Sequence, residues 1–234
     1  MVKLDIMSDP ICPWCLIGKA QLERALEARP DHPFVIEWHP FQLNPDMPAE
    51  GADRRAYLEE KFGGKERAVQ IYARIAEHAQ SAGIEINFEG IKRTPNTLDA
   101  HRLIHWAGIE GMQNRVVSAL MRGYFQEGRD IGDRDTLADI ADSAGLDAAV
   151  IRKLLDSPAD HDDILARDAA AREMGITAVP TFIVAGKHAV PGAQPTEVWL
   201  KVIDEIMAQE VSDADSDTDS ETDTDAASGA GSES

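Results

Sequence analysis

Cys12 and Cys15 are the only cysteines among 234 residues, and they stand three apart in Cys12-Pro13-Trp14-Cys15. Two thiols at that spacing can exchange with a disulfide, supply half of a zinc site, or lie inert in a core. A zinc site needs two further ligands, and there is no second CxxC. Of the seven histidines (His32, His39, His78, His101, His105, His161, His188), only His101 and His105 have the i, i+4 spacing of a helical couple. Exchange chemistry has a positive argument. Proline suits the first turn of a helix, so Pro13 places Cys12 at a helix N-terminus, where unpaired amides and the macrodipole favour an anion. The thiolate is the reactive form of cysteine. Cys15, one turn later on the same face, is placed to attack a mixed disulfide formed at Cys12. The spacing therefore reads Cys12 as nucleophile and Cys15 as resolving thiol, with no metal.

Those roles require a strand that ends, and a helix that begins, just before Cys12. Val2 to Met7 alternates apolar and charged residues and runs into Ser8-Asp9-Pro10, a strand followed by a loop. Pro13 to Arg29 has helical spacing, and Phe34 to Leu43 is a second strand rich in β-branched and aromatic residues. From about Asp53 to Met174 helices dominate: Arg54–Ala82 with a break at Gly63-Gly64, then 96–107, 112–126, 134–144, 147–155 and 159–174. Strand character returns at Thr181–Val184, with a hairpin turn at Gly186-Lys187-His188 and a returning strand from Ala189. Pro195–Gln209 closes the body as an amphipathic helix. This order predicts an α/β fold, a mixed sheet flanked by helices with an all-α insertion. The expected divisions are 1–50 plus 175–210 for the sheet domain, 51–174 for the helical insertion, and 211–234 for an acidic tail.

Charge and ends narrow the function. Lys and Arg number 23 against 42 Asp and Glu, a net charge of -19. Ser212–Ser234 holds eight of those acids and no base, so the body carries -11. Neither figure suits a nucleic-acid reader with a general basic surface or attachment to an anionic membrane. The tail has no apolar residue larger than alanine and is expected to be disordered. Asp5 and Asp9 interrupt any leader-like apolar run, and no window is apolar enough to span a bilayer, so a cytoplasmic location is expected. The oligomeric state is not readable.

The opening strand, SDPICPWC, WHPFQLNPDMP, PNTLDAHRL, GITAVPTFIV and GAQP together resemble the DsbA-like thioredoxin-fold oxidoreductases, specifically their FrnE-like branch, from Met1 to about Gln209. The resemblance implies a thioredoxin fold with a large all-α insertion and a cytoplasmic thiol-disulfide oxidoreductase acting by disulfide exchange or isomerisation. Cys12 and Cys15 match the redox pair and Pro180 matches the cis-proline beside it. The Val179 backbone would then pair with substrate, and Pro13 and Trp14 join Val179 and Pro180 as substrate-binding positions. Trp14 stands where periplasmic DsbA has histidine, so that relative's strongly oxidising potential does not transfer. The implied partner is a disulfide- or thiol-containing protein or small thiol. No cofactor is held tightly, with glutathione a candidate redox partner. The same split fold serves kappa-class glutathione transferases and 2-hydroxychromene-2-carboxylate isomerase, which generally have serine at the position of Cys12. Asn96 to Arg102 is similar to a segment of those enzymes. That makes Asn96 and Asp99 candidate glutathione-binding residues, against their simpler reading as the start of a helix.

Overall fold

The computed structural model describes residues 1–220. Strand β1 (Val2–Ser8) is followed by helix α1 (Pro13–Ala28) and strand β2 (Phe34–Pro40). A two-residue strand β3 (Ala52–Asp53) leads into α2 (Arg54–Phe62) and α3 (Lys65–Ser81), and β4 (Arg93–Thr94) returns to pair with β3. Helices α4 (Leu98–Ile109), α5 (Gln113–Phe125), α6 (Arg134–Ala144), α7 (Ala148–Leu155) and α8 (His161–Glu173) follow. The hairpin β5 (Thr181–Val184) and β6 (His188–Pro191) and the helix α9 (Thr196–Ser220) complete the chain described.

The main sheet has the order β2-β1-β5-β6. β1 runs parallel to β2, with Ile6 opposite Trp38, and antiparallel to β5, with Ile6 opposite Phe182. Flanked on both sides, β1 loses the alternation of its first residues: Ile6, Met7 and Ser8 are all buried. β6 is one of the two edge strands, and Pro191 is tolerated there because no further strand needs its missing N–H. The chain thus has an α/β fold with a helical insertion between β2 and β5. One apolar core runs from Leu4 and Ile6 in the sheet to Leu103, Leu120 and Phe125 in the helical segment.

Three details differ from the sequence expectation. The β3–β4 pair was not foreseen, because two-residue strands carry no periodicity. The turn comes one residue early, at Ala185 and Gly186 with φ of 54° and 67°, so His188 already belongs to β6. The last helix does not stop at Gln209: α9 continues to Ser220, so disorder from residue 211 is corrected over 211–220. Extending a packed helix needs no new nucleus. The rest of the expected tail, residues 221–234, lies outside the described residues.

Candidate active site

Cys12-Pro13-Trp14-Cys15 stands where β1, buried in the sheet, turns into α1. Cys12 is the N-cap of α1 with extended backbone (φ -83°, ψ 116°), and Pro13 fills the first helical position. The Cys12 N–H donates to the Asp9 carbonyl (2.9 Å), while its own carbonyl accepts from Cys15 N (3.1 Å) and Leu16 N (3.2 Å). The corner is therefore closed by backbone bonds, and no side chain caps the helix.

The two thiols are unlike. Cys12 lines a cleft of about 320 Å³ together with Pro13, Trp14 and Val179. Its Sγ lies 3.6 Å from the Val179 carbonyl, to which the thiol donates. The Val179–Pro180 peptide bond is cis. Cys15 does not line the cleft and is 1% exposed. Burial and the neighbouring Cys12 sulfur push its thiol well above the ordinary cysteine range. One sulfur borders the cleft while the other lies protonated away from it. Trp14 is half-buried, its ring 5.0 Å from that of His78 on α3, so the motif leans on the helical segment.

Sequence reading passed over Asp9 as part of a loop. It is wholly buried, and its carboxylate accepts from Leu43 N (2.7 Å), Ile11 N (3.3 Å) and Thr97 Oγ1 (3.4 Å). It ties the exit of β1 to the segment after β2 and to the N-cap of α4. Burial, only partly offset by these bonds, raises its pKa to about 7. His101 Nε2 is 4.0 Å away, and burial lowers that imidazole to about 4, so it stays neutral near pH 7. A charged partner for Asp9 is therefore absent from the pair.

Asn96 and Asp99 are engaged elsewhere. Thr97, not Asn96, is the N-cap of α4; Asn96 accepts from Leu98 N (2.9 Å) and donates to the Met47 carbonyl (2.6 Å). Asp99 pairs with Arg102 (2.6 Å) and Arg134 (3.0 Å). Neither lines the Cys12 cleft. His101 and His105 do not converge, since His105 Nδ1 contacts Arg167. The grouping of potential metal donors among the described residues is Asp5, Glu37 and His39, and Lys3 Nζ reaches both carboxylates at 2.9 Å, a cation already seated between them. Trp38 is core, its Nε1 donating to Asn114 Oδ1 (3.2 Å).

Arg54, at the start of α2, was also missed, because in sequence it looks like the first residue of a solvated helix. It is 6% exposed and lines the Cys12 cleft. Its guanidinium lies 5.1 Å from the Tyr72 ring centre and 5.8 Å from that of Tyr124, and donates to the Tyr124 hydroxyl (2.9 Å). Lys61, seven residues on, lines the same cleft from its exposed rim.

Known proteins match this chain in sequence and in fold. A family model described as a DSBA-like thioredoxin domain matches residues 3–204. The Bacillus subtilis protein YwbO is 31% identical over 207 residues, covering 87% of this chain and 96% of its own length. The crystal structure of "probable DsbA oxidoreductase SCO1869" from Streptomyces coelicolor superposes with a TM-score of 0.79 at 31% identity, covering 89% of this chain and 91% of the other. The cytosolic disulfide reductase DsbM from Pseudomonas aeruginosa, solved with GSH, shares the fold at 18% identity, with a TM-score of 0.64 over 88% of this chain and 99% of its own.

Proposed function

From the fact that this chain belongs to the DSBA-like thioredoxin domain family, we propose that it is a thiol-disulfide oxidoreductase working through the Cys12–Cys15 pair. The observation that carries this reading is the asymmetry of the two sulfurs: both are buried, but Cys12 lines the cleft beside Val179 while Cys15 does not and has a raised pKa. The name of the 31% identical Streptomyces structure points the same way.

In the reducing direction the Cys12 thiolate attacks a substrate disulfide R–S–S–R, forming Cys12–S–S–R and releasing one RS⁻. Cys15 then attacks the Cys12 sulfur; its proton leaves with the second thiol, and the protein is left as the Cys12–Cys15 disulfide. Two electrons pass to substrate, giving two RSH. The oxidising direction is the reverse. Pro13, Trp14, Val179 and Pro180 frame the approach, and glutathione is the proposed small-thiol redox partner. A cytoplasmic setting, with its reduced thiol pool, is the proposed location.

Equilibrating the protein in glutathione buffers of graded poise, with free thiols counted by alkylation, tests this, and insulin reduction serves as a parallel assay. Cys12→Ser should abolish exchange, and Cys15→Ser should still attack but accumulate the mixed disulfide. If the wild-type pair forms no disulfide at any poise, the reading fails. The glutathione-dependent transferase or isomerase alternative drew on Asn96 and Asp99, which are held at the start of α4 by Leu98 N and by Arg102. Survival of glutathione-dependent activity toward an electrophile in Cys12→Ser would revive it.

A further inference from the structure

The charge of the Cys12 cleft runs against that of the molecule. The chain holds 42 acids against 23 bases, yet among the described residues no Asp or Glu lines this cleft, while Arg54 and Lys61 do. Arg54 is the more telling of the two. A guanidinium this buried ordinarily faces a carboxylate, because desolvating a lone cation costs several kcal/mol. Here no carboxylate pairs with it among the described residues. Its polar side-chain neighbours are the phenols of Tyr72 and Tyr124. Burial raises the pKa of both phenols, so both stay neutral and leave its charge uncompensated. Lys61 likewise lacks a carboxylate: its ammonium contacts the Asn44 side-chain oxygen (3.1 Å) and the Tyr57 hydroxyl (2.5 Å), and lies 5.1 Å from the Tyr57 ring centre.

The position of Arg54 is set by the fold. Its N–H donates to the Lys92 carbonyl (3.0 Å) beside the β3–β4 pair, which fixes the first turn of α2 against the wall of the cleft. A second cavity, of about 670 Å³, shares Arg54, Leu58 and Tyr72 with the cleft and is also lined by Asp53, Glu59 and Glu89, none of which forms an ion pair with Arg54.

We propose that Arg54 and Lys61 form a carboxylate-docking site, so that the substrate meeting Cys12 is a small acidic disulfide or thiol. The proposal rests on the exchange reading above and adds the substrate's charge class. A planar guanidinium held by two aromatic rings is preorganised for a carboxylate oxygen, and the exposed Lys61 supplies a second point charge at the entrance. The cleft, at about 320 Å³, is of small-molecule size. Docking changes no bond; it raises the occupancy of the attack geometry, with Cys12–S–S–R and RS⁻ formed as before.

Single-turnover exchange of the reduced full-length protein with three disulfides tests this: 3,3′-dithiodipropionate (dianionic), hydroxyethyl disulfide (neutral) and cystamine (dicationic). Rates are corrected by the reaction of each disulfide with dithiothreitol alone. The dianion should be preferred over the neutral compound by about tenfold, the scale of one charge-assisted hydrogen bond, with cystamine slowest. In Arg54→Gln the dianion-to-neutral ratio should fall to about threefold or less, and added salt should shrink the wild-type ratio. Lys61→Gln, altered at an exposed position, should lower the ratio without disturbing the fold and keeps the test open if Arg54→Gln fails to fold. Equal corrected rates for all three, or a ratio unchanged in Lys61→Gln and in a folded Arg54→Gln, overturn the docking site. No exchange with any disulfide overturns the oxidoreductase reading instead, so the two failures are distinct.

Discussion

Asp9 is a carboxylate that folding forces to work near neutrality without a cation. Its folded pKa of about 7 lies above the ordinary aspartate value of 3.8. Between those values the folded state holds a proton that the unfolded chain has lost, so stability falls as pH rises through that window. His101 works oppositely: lowered from 6.5 to about 4, it favours the folded state above 6.5 and loses that advantage as pH falls toward 4. Asp9→Asn removes only the first effect. Relative to wild type, it should gain about 2–3 kcal/mol of unfolding free energy between pH 5 and pH 8, at roughly 1.4 kcal/mol per unit over the two units below the folded pKa. Denaturant titrations at the two pH values measure this, and a difference independent of pH would contradict the assignment. The variant still loses an acceptor for Ile11 or Leu43, so its absolute stability at pH 5 should be below wild type.

Elements position these residues, and their fit is tight where α1 passes the cis-proline loop. A Cβ on Gly18 would lie 3.0 Å from Pro180 Cγ and 3.3 Å from the Ala193 backbone. Helix propensity favours alanine over glycine by up to about 1 kcal/mol, but overpacking typically costs about 1–3 kcal/mol. With backbone on one side, packing wins. Gly18→Ala should destabilise by about 1–2 kcal/mol and slow exchange by shifting Pro180 relative to Cys12; thermal unfolding and insulin reduction report the two effects separately. At this scale the sequence was largely legible. Val2–Ser8, Pro13–Ala28 and Arg134–Ala144 carry local periodicity, and proline or glycine marks their ends. The glycine break between α2 and α3 was visible too, since Gly63 takes φ of 71°. The β3–β4 pair and the reach of α9 were not, because one is set by long-range pairing and the other by extension of an existing helix.

The sheet and most of the helical segment share the main apolar core, and a smaller cluster of Ile17, Ile75, Ala79 and Ala82 packs α3 against α1. Trp199 on α9 is fully buried against Phe182 (ring centres 4.7 Å), while Trp106 lies in α4 with its Nε1 donating to Asp160 (2.7 Å). Tryptophan fluorescence and far-UV circular dichroism should therefore report the same denaturant midpoint, as one cooperative unit requires. Two separated transitions would mean that the helical segment unfolds by itself. The same continuity explains what remained unread in the site. Cys12-Pro13-Trp14-Cys15 is a local signal, but the contact of Cys12 with Val179 spans 167 positions and that of Asp9 with Thr97 spans 88. No local pattern announces such pairings, nor does one distinguish the buried Arg54 from the exposed Arg55 beside it.

The three attachments of Asp9 also bear on portability. The eight residues Ser8 to Cys15 could be copied onto another strand-to-helix corner, and the proline and both thiols would travel with them. The carboxylate would not find its acceptances there, because Leu43 N and Thr97 Oγ1 come from segments 34 and 88 positions downstream. A grafted motif would keep only the Ile11 N–H for this acid and lose its other two donors, so the smallest transplantable unit of the corner includes the segment after β2 and the start of α4.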